Sequence, residues 1–268
     1  MESFAEIRDH LTDIARRAGD RASAARRTMG KSAVHSKHDN AFDLVTDIDR
    51  ATEEAITGEL RARWPGCVIF GEESGISGSG ELEFIIDPID GTTSFVHDLP
   101  TWAVSIGASL GGKRVAGVVY SPRLGECFTA AAGEGAFLNG ERIHVSTRSR
   151  LEESLIGAGF ACVRAHMRPD NFDYLPPLVR LTRGIRRSGS AALDICYVAA
   201  GRYDAYCELL LQPYDVAAAG LIALEAGARI TALDGSDMWP EHGTLASNGL
   251  LHDMILPYYA DCPHWKKQ

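Results

Sequence analysis

Apolar residues recur at spacings of three and four in Phe4, Ile7, Leu11, Ile14 and Ala18, the stripe of an amphipathic helix that runs into the arginine-rich residues 21–27. Those arginines read as a solvated face that complements the negative carboxyl end of the helix. The polar, irregular stretch 30–41 reads as a mobile loop, and Phe42-Asp43-Leu44-Val45-Thr46 restores an extended pattern. Acidic residues from Asp47, followed by Ile48, Ala55, Ile56 and Leu60, predict a second helix that stops before Pro65-Gly66. Residues 67–70 form a short apolar strand ending at Gly71-Glu72-Glu73-Ser74-Gly75, and 76–80 read as a flexible loop. Phe84-Ile85-Ile86 is a buried strand, and Pro88, with no ladder donor, predicts that the chain leaves the sheet at Asp87.

Beyond this point residues 103–110 alternate in polarity, Gly111-Gly112 makes a turn, and 115–120 returns as the second arm of a hairpin. Runs at 127–129, 135–138 and 143–145 extend the pattern into an antiparallel sheet. From residue 155 strand and helix signals alternate: strands near 155–159, 185–187, 203–209, 229–231 and 245–247, with helices near 169–181, 192–199 and from Pro213 to Gly227. A final helix is predicted from about residue 249. There is no internal repeat and no long linker. The pattern is α+β, with residues 1–150 as a half with the larger sheet and 151–268 as a smaller α/β half, together one compact unit.

Composition changes this picture little, since 45% hydrophobic and 24% charged residues are ordinary for a globular chain. The net charge of -9 disfavours nonspecific binding to nucleic acid or to an anionic membrane, so neither is expected as a partner. Cys67, Cys127, Cys162, Cys196, Cys207 and Cys262 form no CxxC pair and have no His at ligand spacing, which argues against zinc and for reduced, buried thiols. Residues 1–6 lack the features of a secretory signal and no apolar run reaches membrane-span length, so the expected location is cytoplasmic.

The densest chemistry lies in Asp87-Pro88-Ile89-Asp90-Gly91-Thr92-Thr93-Ser94-Phe95. Its two carboxylates can hold cations, Gly91 permits close backbone approach, and free N–H groups can hold an anion, with Thr92 or Thr93 capping a following helix. The same residues also suit a plain strand-to-helix turn. Three further carboxylate-bearing elements stand with it: Asp49 at a helix start, Glu72 and Glu73 after a strand, and Asp215 at a helix start. All donors are oxygen, a set suited to magnesium or manganese. Gathered together, these carboxylates would repel one another unless cations intervened. With two or more ions a phosphate ester could be clamped and a water activated for in-line displacement.

These motifs carry a resemblance. Gly71-Glu72-Glu73-Ser74, Asp87-Pro88-Ile89-Asp90-Gly91-Thr92-Thr93 and Pro213-Tyr214-Asp215-Val216-Ala217-Ala218-Ala219-Gly220 resemble the three hallmark motifs of the inositol monophosphatase family of magnesium-dependent, lithium-sensitive phosphatases, and Asp43-Leu44-Val45-Thr46-Asp47-Ile48-Asp49 resembles its amino-terminal segment. The resemblance implies a layered α-β-α-β-α sandwich of the inositol monophosphatase and fructose-1,6-bisphosphatase type, a homodimer, and two or three Mg2+ ions, with Mn2+ as a substitute. It implies that Glu72, Asp87 and the Ile89 carbonyl bind a first ion, and that Asp87, Asp90 and Asp215 bind a second. A third ion leans on Glu72. Asp49 pairs with Thr92 to orient and deprotonate the attacking water, and Asp47 occupies a variable position. The amides of Gly91 and Thr92, together with Thr93, hold phosphate, while Gly189, Ser190, Ala191 and Glu208 line the substrate pocket. Glu208 also fits a solvated strand end on its own. Lys37 corresponds to a loop lysine near the catalytic water.

Two departures from the family pattern stand out: Tyr214 replaces the usual Trp, and Ser94 replaces the usual Asn. Neither removes a ligand. The continuation Thr92-Thr93-Ser94-Phe95-Val96-His97 is more similar to inositol monophosphatases than to relatives acting on 3′-phosphonucleotides or histidinol phosphate. The expected activity is hydrolysis of a small polyol or sugar phosphate such as inositol 1-phosphate. Fructose 1,6-bisphosphate, histidinol phosphate or a nucleotide are the alternatives within the family, and a regulatory binding protein that keeps the metal site is the alternative from another class.

Overall fold

The computed structural model describes residues 2–30, 33–37 and 40–261, with the backbone alone for 37 and 40–43. The expected position of the Lys37 side chain and the thiol of Cys262 fall outside the described residues. The five described cysteines are all buried and free.

The chain builds five layers. Helices α1 (Phe4–Arg26) and α2 (Asp47–Arg63) form the first. Helix α1 opens on a capping box in which Ser3 Oγ accepts from the Glu6 N–H at 3.2 Å and Glu6 Oε2 accepts from the Ser3 N–H at 2.7 Å. Its buried face, Ile7, Leu11, Ile14, Ala15 and Ala18, packs with Ile56 and Leu60 of α2 on one side of the larger sheet. Between the two helices, β1 (Val34–Lys37) and β2 (Asn40–Thr46) form an antiparallel ribbon. Residues 34–37 and 40–41 correct the expected loop at 30–41, while 42–46, read as extended, is the rest of β2. His35 and Ser36 are both exposed, so β1 has no apolar alternation by which sequence could reveal it.

The second layer is an eight-stranded sheet. Its strands are β3 (Val68–Gly71), β4 (Gly75–Ser77), β5 (Leu82–Asp90), β6 (Ala103–Leu110), β7 (Lys113–Ser121), β8 (Glu126–Ala131), β9 (Gly135–Leu138) and β10 (Glu141–Ile143), in the order β10-β9-β8-β7-β6-β5-β3-β4. Only β3 and β5 run parallel. Strand β4 runs into the stretch 76–80 expected to be a flexible loop; as a three-residue edge strand it is too short to show a period. Strand β5 also departs from expectation. It passes through Pro88 and stays paired with β6 as far as Asp90, because the register breaks between Asp87 and Asp90 and the bulge removes the need for a proline N–H. A short helix, α3 (Thr92–Val96), follows at once.

The central layer is α6 (Ala191–Ala199) and α7 (Pro213–Glu225), whose apolar residues fill the core between the two sheets. The fourth layer is a five-stranded sheet, β12 (Gly184–Arg186), β11 (Leu155–Ala158), β13 (Ala205–Glu208), β15 (Thr244–Ser247) and β14 (Arg229–Thr231), in that order. Helices α4 (Ala161–Arg164), α5 (Asn171–Leu181) and α8 (His252–Ile255) supply the outer layer over a third core containing Leu175, Leu178, Ile255 and Tyr259. The final helix, expected from about residue 249, starts at His252 and gives way to a 3-10 turn, Leu256–Tyr259, and α4 was not foreseen. The architecture is the α-β-α-β-α sandwich expected from the motifs. Among the described residues no helix is long and apolar enough to cross a membrane.

Close approach of α7 to the large sheet positions the two halves of the site. Gly107 of β6 and Gly117 of β7 are register partners, and both lie beneath α7. A Cβ on Gly107 would stand 2.8 Å from Ala217 Cβ, and one on Gly117 would stand 2.8 Å from the Ala218 carbonyl oxygen. The small residues on both surfaces let the helix that carries Asp215 lie against the strands next to β5. Replacing Gly117 by Val forces this contact apart against backbone, and the expected loss is about 1–3 kcal/mol of stability, read as a lower urea midpoint.

Candidate active site

Three buried or half-buried carboxylates meet where β5, α6 and α7 converge. One oxygen from each of Asp87, Asp90 and Asp215 lies within 4.8 Å of the others. Asp87 Oδ1 accepts from the Ile89 N–H at 3.0 Å, across the Pro88 bulge. Asp90 sits at the amino end of α6, where it accepts from the Ala192 N–H at 2.7 Å, the Ala191 N–H at 3.2 Å and the Ser190 hydroxyl. The helix terminus thus holds one side of this carboxylate. Asp215 opens α7, and its Oδ2 accepts from the Gln212 N–H at 2.6 Å.

Glu72 joins them from the end of β3. The Glu72 N–H donates to the Ile86 carbonyl at 3.1 Å, which continues the parallel pairing of β3 with β5 and brings its side chain to the pocket. Burial pushes Asp87 well above the usual carboxylate range, and the charges of Glu72, Asp90 and Asp215 push it further. Asp215 is raised in the same way, first by burial and then by Asp90. Burial also raises Asp90 to about 7, against the opposing hydrogen bonds from Ser190, Ala192 and Ala191. Such a group of like charges is stable in ionised form only beside a cation. The pocket lining has oxygen donors and no Cys or His, which fits a hard divalent ion and not zinc.

Asp49 lies beside this cluster on the first turn of α2. It is fully buried, accepts from the Thr46 N–H at 2.9 Å and from the Thr46 hydroxyl, and is raised to about 7, chiefly by burial. Thr92 Oγ1 stands 3.2 Å from Asp49 Oδ1 and 3.2 Å from the Ile89 carbonyl oxygen. The expected Asp49–Thr92 pair is therefore formed. Asp47 faces away, with His35 Nε2 at 3.0 Å. Neither threonine caps α3, contrary to the sequence reading. Gly91 is the N-cap, at φ 97, where a left-handed backbone and Cβ contacts of 3.0 Å to Thr101 O and 3.1 Å to Gly189 O both favour glycine. Thr93 is exposed at the pocket rim.

Gly189, Ser190, Ala191 and Glu208 line the opposite wall. Ser190 and Ala191 spend their hydroxyl and amide on Asp90, so this loop supports a cluster carboxylate as well as shaping the pocket. Ser94, in the place of the usual Asn, joins α3 to the same loop: Thr101 Oγ1 lies 3.3 Å from Ser94 Oγ and donates to the Ser188 carbonyl at 2.7 Å. Glu208 is not a solvated strand end. It is 4% exposed, accepts from the Ala161 N–H at 2.8 Å and from the Tyr206 hydroxyl, and is raised by burial. Tyr214 packs edge-on against Phe70, with ring centroids 6.1 Å apart.

Two supporting residues escaped the sequence reading. Glu53, only 3% exposed, accepts from the Glu73 N–H and the Ser74 N–H, both at 2.9 Å, and so holds the turn that presents Glu72. The available signal was an acidic residue one helical turn after Asp49, on the same face. Arg26, assigned by sequence to a solvated face, donates to the Phe95 carbonyl at 2.6 Å and the Val96 carbonyl at 2.7 Å, securing the carboxyl end of α3. No local pattern marks that contact.

A model of the inositol monophosphatase family matches residues 4–264. The chain belongs to this family. A Nus factor SuhB from Pseudomonas aeruginosa is 43% identical over 241 residues, covering 87% of this chain and 88% of that one. An inositol-1-monophosphatase from Synechocystis is 41% identical over 242 residues, 89% of this chain and 84% of its own. The solved inositol monophosphatase of Anabaena superposes with a TM-score of 0.86 at 35% identity, covering 98% of this chain and 99% of that one. SuhB of Bartonella henselae gives 0.89 at 34%, covering 96% and 99%. Family membership makes the carboxylate cluster that of a phosphatase family whose members are generally metal-dependent.

Two outcomes follow for the site. In metal-free protein the raised carboxylates bind more protons folded than unfolded, so their contribution falls as pH rises from about 4 to about 7. A divalent cation held by these carboxylates would displace those protons. The rise in Tm on adding Mg2+ is therefore expected to be larger at about pH 8 than at about pH 6, by thermal denaturation with and without chelator. Glu53→Gln leaves one of the two turn amides facing an NH2 group, and Mg2+ affinity by calorimetry is expected to fall about 10-fold.

Proposed function

We propose that this chain is a magnesium-dependent phosphomonoesterase acting on a small polyol or sugar phosphate of the inositol 1-phosphate type. The observation that carries this reading is the all-oxygen cluster of Asp87, Asp90 and Asp215 beside the Asp49–Thr92 pair, facing a buried Glu208 across one pocket. In this reading Glu72, Asp87 and the Ile89 carbonyl hold one ion, and Asp87, Asp90 and Asp215 a second, with a weaker third near Glu72. Ions bound there supply the positive charge that neutralises a phosphate and acidifies water. The protein's own groups do the rest. Thr92 and Asp49 orient the attacking water and take its proton. The N–H groups of Gly91 and Thr92 and the side chain of Thr93 hold phosphate oxygens. Glu208, fixed by Tyr206 and Ala161, accepts from substrate hydroxyls. The residues 1–150 and 151–268 act as one unit, since Asp215 comes from the second half, and the working assembly is a homodimer.

A second reading has its own support. Relatives of this chain, one of them 43% identical, bear the name Nus factor SuhB, which favours a regulatory binding role in addition to, or in place of, turnover.

Phosphate release from inositol 1-phosphate, fructose 1,6-bisphosphate, histidinol phosphate and nucleoside monophosphates, with and without Mg2+, separates the two. Metal-dependent turnover of a polyol phosphate is expected, and Asp90→Asn is expected to lower it more than about 100-fold. Glu208→Gln should raise KM for polyol phosphates about 10-fold and leave an aryl phosphate unaffected. Absence of metal-dependent turnover across the panel would overturn the phosphatase reading.

A further inference from the structure

Two parallel strands bring the wall opposite the carboxylate cluster together. Strands β11 and β13 are in register at Ala158 and Cys207, so the next residues, Gly159 and Glu208, leave the sheet side by side. Gly159 has no room for a side chain there, since a Cβ would overlap the Glu208 carboxylate. Residues 159–161 line the pocket with Glu208, and the Ala161 N–H donates to Glu208 Oε1 at 2.8 Å. The Tyr206 hydroxyl donates to Oε2, and the charges of Arg164 and Arg187 favour the ionised carboxylate. Tyr206 belongs to β13 itself, whereas the Ala161 amide is placed only as firmly as the turn that carries it.

That turn is held from α5. Asn171, the first residue of α5, is fully buried, and its Nδ2 donates to the Gly159 carbonyl at 2.6 Å. Its Oδ1 makes no hydrogen bond among the described residues, so the Gly159 contact is what this side chain supplies. The Asn171 main-chain N–H faces the Cys162 sulfur at the far end of the turn. The helix end is anchored in turn: Asp170 accepts from the Phe172 N–H at 2.8 Å, and Asp173 accepts from the Asp170 N–H at 2.7 Å. Phe172 also stacks on Phe160, with centroids 4.8 Å apart. A chain of contacts therefore runs from α5 through Gly159 and Ala161 to one oxygen of Glu208.

We propose that Asn171 is a positioning residue for Glu208: by holding the Gly159 carbonyl it aims the Ala161 N–H, and with it the Glu208 carboxylate, at the hydroxyls of a polyol phosphate. This rests on the phosphatase reading above, in which Glu208 accepts from substrate hydroxyls, and adds a residue that touches neither substrate nor metal. The competing account is that Asn171 only secures α5 on the smaller sheet. Its loss would then lower stability and act on substrate binding independently of Glu208.

The test is a double-mutant cycle of Asn171→Ala and Glu208→Gln, read on inositol 1-phosphate with Mg2+ present. In the native background Asn171→Ala is expected to raise KM about 5–10-fold with kcat within about 2-fold, since the carboxylate cluster is untouched. In the Glu208→Gln background the same substitution is expected to change KM by less than about 2-fold. Phenyl phosphate, which has no hydroxyl for Glu208, should keep its kcat/KM within about 2-fold in Asn171→Ala. Equal KM changes in the two backgrounds, an equal fall for phenyl phosphate, a fall in kcat without a rise in KM, or no change would overturn the proposal. Should Asn171→Ala lack a cooperative thermal transition, Asn171→Ser takes its place in the cycle; if neither folds, Asn171 is structural and the proposal fails. Should wild type not hydrolyse inositol 1-phosphate, the phosphatase reading fails by itself. Calorimetric binding of inositol 1-phosphate with Mg2+ then runs the same cycle: coupled losses support the assignment of Asn171, and additive losses, or no binding by wild type, refute it.

Discussion

The mutual repulsion of buried carboxylates is the constraint on which the rest of this structure depends. Asp87 and Asp90 come from one strand, β5, and Asp215 from helix α7, yet one oxygen of each lies within 4.8 Å of the others. Burial and neighbouring charge raise all three, so that bringing them together costs stability unless protons or cations compensate. A fold that retains this arrangement must hold it by other contacts.

Those contacts come from the first helical layer, the large sheet and the central helices. Paired glycines in β6 and β7 admit α7, and with it Asp215, against the large sheet. The amino end of α6 receives Asp90, and the Pro88 bulge turns Asp87 and Asp90 toward the same space without ending the strand. Glu53 secures the Glu72 turn and Arg26 secures α3, each from the first helical layer. The energetic burden of the site is thus met by hydrogen bonds and close packing from elements distant in sequence, consistent with a centre whose geometry is set before any ligand arrives.

The pocket changes character along its length, from an all-oxygen acidic floor to a mouth bearing Arg164 and Arg187. The chain is similar both to inositol monophosphatases and to SuhB proteins bearing the name Nus factor.

Sequence alone determined the long helices, the central hairpin and the hallmark motifs, because each rests on local physics: a helical or alternating period, a glycine turn, or a run of chemically specific residues such as Asp87-Pro88-Ile89-Asp90-Gly91-Thr92. It also determined the donor chemistry, since oxygen ligands without Cys or His spacing point to a hard cation. Local propensity misjudged Pro88, which the bulge accommodates, and missed β1, where His35 and Ser36 are consecutive exposed residues with no apolar period. Convergence was decided only by tertiary structure. That Asp215 meets Asp87, that Asp90 rests on α6, that Glu208 receives the Ala161 N–H, and that Arg26 grips α3 all depend on packing between segments tens of residues apart. Such contacts are properties of the assembled layers, because the two partners in each lie on separate segments.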